Sequence, residues 1–419
     1  MRIFFVLITS QLLQTRTKAV CTQNYSLTLK LFYQLCHMNK ILIIVFCCIA
    51  IGCSSVPKLS HNDKPVTAAD DVWSTTNIAA FEKKLEELRI HYHIPSVAIG
   101  IVNEKKLVVR GGLGFADIKK QIKPDENTVY HLASITKTFG SIILMQLVEQ
   151  GKLSLDDPID KYGINLGARW GSDPRIKVKH LLTHTAMGSW RNGYKPGYKF
   201  RYNGDWYGRL GQVIEKASGE SFGELVMKNI ITPLAMINTV PSTDDSINFK
   251  LTGYNKDSFL TRVAPPYNWQ GKQVAPIQMK YGFSPAAGIM SSVADLAKYS
   301  IAIDDKKFLK PGTWEKVFTP YVTPNGKTIQ YGLGWFVKDY KGLKIIWHTG
   351  WWYGYSTLLI KIPQKDLTFI ILANSQDLSR PFYLTHYPVP LPDPFSKSLS
   401  KELLVSDFAS LFIQYFVMD

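Results

Sequence analysis

Ser134 and Lys137 are the residues whose types and spacing most directly indicate chemistry. Residues three apart lie above one another on a helix, so this spacing places an amine beside a hydroxyl. A hydroxyl alone is a poor nucleophile at neutral pH, and a lysine whose pKa is lowered by burial or by a nearby cation can remove its proton. The pair therefore predicts nucleophilic catalysis through a covalent serine intermediate.

The same spacing occurs twice more, in Ser55-Val56-Pro57-Lys58 and in Ser398-Leu399-Ser400-Lys401, so spacing alone is weak evidence. Only Ser134 is followed by a long apolar helical pattern, from Thr136 to Glu149. A buried helix start holds a side chain rigidly, and its free N–H groups favour nearby negative charge. This context singles out Ser134 as the predicted nucleophile.

Two further motifs follow in chain order: Tyr202 within Phe200-Arg201-Tyr202-Asn203-Gly204, and His348-Thr349-Gly350 after an apolar run. With these motifs the chain resembles the serine β-lactamase and penicillin-binding family, in its class C and esterase-like branch. That family carries Ser-x-x-Lys, then Tyr-x-Asn, then Lys-Thr-Gly or His-x-Gly. The resemblance extends from about residue 78 to residue 374. Further stretches that resemble the family are 94–100, 180–185, 210–215, 286–292, 331–335 and 354–357.

The resemblance implies a role for each motif. Ser134 would form the acyl-enzyme, Lys137 would take or relay its proton, and Tyr202 would be the second base. The backbone N–H groups of Ser134 and Trp351 would form the oxyanion hole. The segment His348, Thr349, Gly350 and Trp351 would bind substrate: His348 would hydrogen-bond Tyr202 or a substrate carboxylate, and Gly350 would keep the strand edge open.

The chain departs from the family pattern in the second and third motifs. Counting back from Gly211, the asparagine position falls on Gly204, and Asn203 takes its place only if the loop is one residue shorter. In the family that asparagine helps to hold a β-lactam, so efficient β-lactam hydrolysis is not expected. His348 in place of lysine, as in esterase and peptidase members, points the same way. The bulky residues 351–353 predict a narrow apolar pocket.

Two other motifs have simpler structural interpretations. Gly219-Glu220-Ser221-Phe222-Gly223 matches a nucleophile elbow, but a helical pattern precedes it where a strand is required. Ser221 with Glu224 instead predicts a helix capping box. His180 and His184 lie four apart without a glutamate beside His180, so they do not form a zinc-protease motif. We expect no metal and no cofactor.

The N-terminal region reads as a targeting sequence. Residues 38–52 resemble a bacterial lipoprotein signal peptide, with a charged start, an apolar run and Cys53 as the lipidated residue. Residues 1–37 are then an over-extended N-terminus, or part of an unusually long leader. Residues 53–76 are polar and predict a tether. This interpretation predicts a lipid-anchored protein of the bacterial cell envelope that faces the periplasm or the outside.

Composition narrows the possibilities further. All five cysteines lie at or before residue 53, which excludes disulfides, iron–sulfur clusters and cysteine-bound zinc from the remainder. The chain has 49 basic and 33 acidic residues, and five of the basic ones precede residue 53. This excess is typical of a solvated surface, although it would also favour anionic membranes or cell-wall polymers. The sequence has no basic run with interleaved aromatic residues, which is the pattern that would indicate nucleic-acid binding.

The predicted elements place these motifs in an α+β fold. Residues 78–92 show one apolar helical face. Strand-like runs at 97–102 and 107–109 predict a hairpin whose turn lies between them. Strand patterns return at 343–347, 356–362 and 367–372, and 401–417 form an amphipathic helix. We therefore expect residues 77–419 to form an antiparallel sheet flanked by N- and C-terminal helices, with an inserted, mostly helical lobe. This agrees with the β-lactamase/transpeptidase-like fold that the resemblance implies.

The predicted function is that of a serine hydrolase acting on an amide, ester or β-lactam carbonyl. The alternatives are a D,D-carboxypeptidase or D-aminopeptidase acting on cell-wall peptides, and a non-catalytic penicillin-binding-like envelope protein. The intact Ser134, Lys137 and Tyr202 argue against a non-catalytic protein. The expected partners are a small-molecule or peptidoglycan-derived substrate and a membrane reached through the lipid on Cys53.

Overall fold

The computed structural model describes residues 72–166, 173–186, 195–243, 249–271, 273–280, 282–384 and 402–418. The predicted signal peptide, its cleavage site at Cys53 and most of the predicted tether lie outside these ranges. No helix within them has the length and apolar character needed to cross a membrane.

A six-stranded antiparallel sheet forms the frame of the fold, in the order β2-β1-β12-β11-β10-β9. Its outer connections are short, but β1 pairs with β12, which joins the two ends of the domain in one sheet. The central strands β11 and β12 are buried along their whole length, as expected for strands covered on both faces. The strands are β1 Ser96–Asn103, β2 Lys106–Gly114, β9 Phe336–Tyr340, β10 Leu343–Trp352, β11 Tyr355–Ile362 and β12 Leu367–Ala373.

The hairpin predicted between residues 97–102 and 107–109 is confirmed, and the strand patterns at 356–362 and 367–372 also pair as a hairpin. Glu104 and Lys105 connect β1 to β2 with φ of 47° and 61°, the positive values that a two-residue turn between twisted strands requires. A 3-10 turn, Pro363–Lys365, followed by Asp366 at φ 47°, connects β11 to β12.

The terminal helices pack together on one face of the sheet. Helix α1, Thr75–His91, contacts the C-terminal helix Asp407–Phe416 through Phe81 and Phe416, whose rings lie 5.0 Å apart. The Ser74 side chain accepts a hydrogen bond from the Asn77 backbone and caps α1. This cap starts the helix inside the segment 53–76 predicted as a tether, so the folded domain begins slightly earlier than expected.

The segment between β2 and β9 is mostly helical, which confirms the inserted lobe. Its core joins that of the sheet through the long helix α2. Within the described ranges its helices are α2 Thr136–Glu149, α3 Val178–Leu182, α4 Gly204–Gly208, α5 Leu210–Ser218, α6 Phe222–Val226, α7 Lys256–Leu260, α8 Val293–Asp304 and α9 Pro311–Val317. Short strands connect them: β3 Tyr130–His131, β4 Tyr267–Trp269, β5 Val274–Pro276, β6 Met290–Ser291, β7 Tyr321–Val322 and β8 Thr328–Ile329. Helix α10, Arg380–Leu384, follows β12, and α11 is the C-terminal helix Asp407–Phe416.

Candidate active site

Ser134 lies where the sheet meets the helical lobe. It occupies a 3-10 turn, Ala133–Ile135, that leads directly into α2. Nearly every residue of α2 is buried, as its apolar pattern predicts, and the serine side chain itself is 8% exposed. The start of a buried helix therefore holds Ser134 in a fixed position with limited access from solvent.

Lys137 is positioned to act as the base for Ser134. Its Nζ lies 2.9 Å from Ser134 Oγ and donates a hydrogen bond to the Ala286 carbonyl at 2.8 Å. The side chain is 1% exposed, and this burial lowers the lysine pKa to about 7, while the carboxylate of Asp205 opposes the shift. A large fraction of Lys137 is therefore neutral near pH 7 and can accept the serine proton.

Aromatic rings enclose the amine. The centroid of the Tyr202 ring lies 5.0 Å from Lys137 Nζ and that of Tyr207 lies 5.4 Å away. The Tyr207 hydroxyl donates to the Lys137 backbone carbonyl at 2.9 Å, which ties α4 to α2. The structure therefore brings Tyr202 to the Ser134–Lys137 pair, and its role as a second base stays a prediction.

His184 holds the loop that carries Tyr202. Its backbone carbonyl accepts from the Arg201 N–H at 2.7 Å, and its Nδ1 accepts from the Asn203 N–H at 3.1 Å. The two bonds flank Tyr202, whose ring lies 4.1 Å from the imidazole. Burial, with Lys137 and His348 nearby, lowers the His184 pKa well below its usual value, so Nδ1 remains an acceptor. His184 lies in the stretch 180–185 that resembles the family, but the only specific role considered for it from the sequence was that of a metal ligand.

In the second motif, the position where the family pattern has an asparagine is occupied by Gly204. Asn203 caps α4, because its Oδ1 accepts the Trp206 N–H at 3.0 Å. Gly204 begins that helix, and a Cβ at this position would meet no atom within 4 Å. The carbonyl oxygen of Asn203 is therefore used within the protein, and Gly204 leaves open space where the family has an amide side chain.

Gly350 allows β10 to pass close to the turn Ala133–Ile135, which we call the nucleophile turn because it carries the predicted nucleophile Ser134. A Cβ on this residue would lie 2.2 Å from Thr357 Oγ1, 2.5 Å from the Leu132 carbonyl and 3.0 Å from Ala133 Cβ. Access of substrate to the strand edge was the expected reason for this glycine. The structure shows a different requirement, since the glycine lets the strand pack against the residues that precede Ser134.

His348 is fully buried and both of its ring nitrogens contact the protein. Nδ1 lies 2.7 Å from the Thr349 carbonyl, which can only accept, so Nδ1 carries the proton. Nε2 then accepts from the Tyr331 hydroxyl at 3.0 Å. Burial, followed by the nearby Lys137, lowers the His348 pKa to about 3, so the ring is neutral at ordinary pH. The predicted hydrogen bond from His348 to Tyr202 is therefore absent, because both ring nitrogens contact other groups. The alternative, a contact with a substrate carboxylate, stays a prediction.

The third motif lies on β10 beyond the end of its pairing with β9. That pairing ends at Phe336 and Trp347, five residues before β10 itself ends at Trp352. Side chains alternate along β10. His348 and Trp352 therefore face the helical lobe, while Thr349 and Trp351 face the other way. The predicted wall of residues 351–353 is thus split between two faces, and Thr349, fully buried, donates to the Thr357 carbonyl at 3.1 Å.

The competing serine motif has the predicted structural role. Ser221 Oγ accepts from the Glu224 N–H, and Glu224 accepts from the Ser221 N–H, which confirms a capping box. A helix, α5, precedes it in place of the strand that a nucleophile elbow needs. His180 Nδ1 accepts the Lys177 N–H at 3.0 Å. The described ranges hold no group of three or more His, Cys, Asp or Glu arranged to bind a metal ion.

Comparison with known proteins matches residues 81–387 to the family model described as Beta-lactamase. Protein flp of Staphylococcus aureus (strain NCTC 8325 / PS 47) is 26% identical over 317 residues, which cover 67% of this chain and 60% of that protein. A penicillin-binding protein of Bacillus subtilis (strain 168) is 26% identical over 296 residues, 63% of this chain and 64% of that one. The chain thus spans less than two thirds of the length of these curated relatives.

Solved structures show the same fold. The octameric penicillin-binding protein homologue from Pyrococcus abyssi superposes with a TM-score of 0.61 at 27% identity, over 72% of this chain and 74% of that one. D-alanine carboxypeptidase AmpC from Burkholderia cenocepacia gives a TM-score of 0.60 at 23% identity, over 72% and 94% of the two chains. The predicted α+β fold, with its antiparallel sheet and helical lobe, is therefore confirmed.

Proposed function

This chain belongs to the beta-lactamase family, and from that premise we propose that it is a serine hydrolase that works through an acyl-serine at Ser134. The observation that carries the proposal is the buried Lys137 amine, 2.9 Å from Ser134 Oγ and with a pKa of about 7. A lysine that served only as a surface charge would not be buried against a serine hydroxyl.

In the proposed reaction, Ser134 Oγ attacks the substrate carbonyl carbon while its proton passes to Lys137 Nζ. The oxyanion is held by the backbone N–H groups of Ser134 and Trp351. Tyr202 passes a proton to the leaving group as it departs, and water then attacks the acyl-serine with the proton transfers reversed. The packing of Tyr202 and Tyr207 around the amine supports this arrangement, because it keeps water from the base.

We further propose that the substrate is an ester or amide rather than a β-lactam. The side-chain oxygen of Asn203 is engaged in a helix cap, and His348 is buried and neutral, so His348 does not offer the charge that the family's lysine would provide. A β-lactam or other carboxylate-bearing substrate therefore gains no positive charge from the third motif.

A peptidase acting on D-amino-acid peptides is the second candidate. The observation that favours it is that β10 continues to Trp352 after its pairing with β9 ends at Trp347, so an extended peptide can bind beside this stretch as an added strand. The names of two proteins similar to this chain, a penicillin-binding protein and a D-alanine carboxypeptidase, agree with this candidate.

Labelling with a fluorophosphonate and with benzylpenicillin, followed by intact-mass measurement, tests the proposal. We expect the folded chain to gain a fluorophosphonate adduct that Ser134→Ala abolishes. Ser221→Ala is the matched control, since it removes a helix-capping serine and should leave labelling intact. An adduct that survives in Ser134→Ala, or a folded chain that is never labelled, would overturn the proposal.

The penicillin result separates the substrate classes. A lasting penicilloyl adduct would indicate the peptidase, and rapid penicillin turnover would indicate a β-lactamase. Neither adduct nor turnover, together with hydrolysis of a p-nitrophenyl ester that depends on Ser134, would support the ester or amide hydrolase.

A further inference from the structure

We propose that His131 is a positioning residue that holds the turn before Ser134, so that the Ser134 N–H points at the oxyanion; this inference rests on the proposed function. His131 lies on β3, three residues before the nucleophile. Its role follows from the backbone conformation of the turn, from the contacts of the imidazole ring and from the choice of histidine itself.

The backbone of the turn is held in an unfavourable conformation. Ala133 has φ of 50°, in the left-handed region that a residue with a Cβ rarely adopts. Such a residue persists only where its surroundings fix it. The Ala133 N–H donates to His131 Nδ1 at 2.9 Å, while the preceding Leu132 carbonyl accepts from Thr357 Oγ1 at 3.0 Å. The imidazole therefore supplies the side-chain bond that directly holds the strained residue.

The ring is itself immobilised. It is 3% exposed and stacks on the indole of Trp352, with centroids 5.2 Å apart and planes within 6°. The Trp352 N–H donates to the Lys280 carbonyl at 2.8 Å, which anchors the indole in turn. Because β10 packs against the same turn through Gly350, the strand and the ring hold the nucleophile segment from two sides.

Packing alone does not explain why this residue is a histidine. Nδ1 accepts a hydrogen bond, so the neutral ring carries its proton on Nε2. That Nε2 is buried and has no hydrogen-bond partner among the described residues. A phenylalanine would fill the same space without the cost of an unpaired N–H. The feature that the histidine adds is the acceptor at Nδ1, whose partner is the Ala133 N–H.

The hydrogen bond to His131 Nδ1 also determines which backbone N–H group of the turn is available to the substrate. Ala133 and Ser134 present successive N–H groups at the turn, and the imidazole engages the first of them. The Ser134 N–H is then the donor that remains at this position for the carbonyl oxygen. Loss of the imidazole contact would let the turn relax and would move this donor away from the developing charge.

The test compares His131→Asn with His131→Leu in the full chain. The two side chains have nearly the same shape, and asparagine keeps an oxygen that can accept the N–H two residues on, whereas leucine does not. We expect His131→Leu to lower the kcat of ester hydrolysis on the order of 100-fold, with KM little changed, because misplacement of about 1 Å has that effect. His131→Asn should recover most of this loss. Rates are divided by the concentration of active sites titrated with fluorophosphonate.

Amide exchange at Ala133, followed by NMR on 15N-alanine-labelled protein, gives a second readout. The exchange should quicken in His131→Leu and stay slow in His131→Asn. If both variants show the same kcat and the same exchange, or if they lose activity only in proportion to unfolded protein, His131 is a packing residue and the inference is wrong. Should His131→Leu not fold, His131→Phe retains the ring and makes the same comparison.

Failure of the two proposals can be told apart. A folded wild type that is never acylated overturns the proposed function and the role of His131 in it. A wild type that is acylated at Ser134, with His131→Leu equally active per titrated site, overturns the role of His131 alone.

Discussion

At the scale of single residues, the burial of Lys137 connects reactivity to stability. An amine in a dry environment loses the hydration that stabilises its charged form, so its proton is released near neutral pH. The nearby histidines do not release a proton near neutral pH, because burial lowers the pKa of His131 and of His348 to about 3. Lys137 is therefore the group expected to titrate near pH 7 in this site.

This assignment predicts the pH profile of acylation. The rate of Ser134 labelling should rise about tenfold per pH unit below pH 7 and level off above it, since only the neutral amine accepts a proton. Stopped-time labelling with fluorophosphonate between pH 5 and 9 measures this directly. A rate that stays constant across that range would show that Lys137 is not the base.

The same shift predicts a gain in stability when the lysine is removed. Between pH 7 and 10.5 the unfolded chain binds more protons at this position than the native state, so stability rises with pH there. Below pH 7 the buried amine is charged, and this charge lowers the free energy of unfolding by about 5 kcal/mol, the amount that corresponds to a pKa shift of this size. Lys137→Met should therefore raise the free energy of unfolding most below pH 7 and progressively less towards pH 10.5. Urea unfolding at pH 6 and pH 9.5 tests this; an equal gain at both pH values would contradict it.

Tyr331 is expected to support the site through His348. Tyr331→Phe removes the donor to the buried Nε2 and should lower the free energy of unfolding by about 1–3 kcal/mol, the cost of an unsatisfied buried acceptor. Tyr353→Phe, at a tyrosine that is 47% exposed, is the control and should change little. In a His348→Leu background the effect of Tyr331→Phe should shrink. Additive losses in that double-mutant cycle would mean that the hydrogen bond contributes nothing.

At the scale of elements, the site depends on the fit between β10 and the nucleophile turn. Gly350→Ala would place a methyl group 2.5 Å from the Leu132 carbonyl, so the strand or the turn must move. We expect a loss of about 1–3 kcal/mol in the free energy of unfolding and a larger proportional loss in the rate of Ser134 labelling. Gly312→Ala, in helix α9 where a Cβ meets nothing within 4 Å, is the matched control and should lower neither value. Normal labelling in Gly350→Ala would show that the close approach is not required.

Elements with a strong local pattern were predicted well. Helix α2 has the predicted bounds, Thr136–Glu149, because its apolar run is uninterrupted. Strand β10 was predicted only as far as Trp347, yet it continues to Trp352. The added residues contain a histidine, a threonine and a glycine, whose local preference for a strand is weak. Their conformation is set by pairing with β11, a tertiary effect that a pattern along one segment does not show.

At the scale of the whole molecule, motif order indicated the residues that we propose to be catalytic, and tertiary contacts showed which residues hold them in place. Ser134 and Lys137 are three apart, so a local rule was enough to pair them. Tyr331 reaches His348 across 17 residues and His184 reaches Asn203 across 19, and nothing in either local segment indicates the partner. The supporting histidines and tyrosines were therefore missed or given other roles, although His184 and Tyr331 both lie in stretches that resemble the family.

The location of the molecule remains a prediction from its N-terminal sequence. We propose that Cys53 carries a lipid that anchors the chain to the cell envelope. In a bacterial host Cys53→Ser should move the protein from the membrane fraction to the soluble fraction. Cys48→Ser, inside the proposed signal peptide, should leave it in the membrane fraction. A mature protein that retains residues 1–37, or a Cys53→Ser variant that stays with the membrane, would contradict this.

The pairing of β1 with β12 also constrains when the domain can fold. Val97 pairs with Ala373 and Asn103 pairs with Leu367, so the strand emerging first waits for one that is made more than 250 residues later. Contacts between segments so far apart in sequence form slowly, because a long loop must close first. A chain still being synthesised has no partner for that edge of β1. The nucleophile turn, which rests on β10 and on Thr357 of β11, cannot take its active shape before nearly the whole domain has been made. The hydrolytic activity that we propose is thus withheld until synthesis of the domain is almost complete.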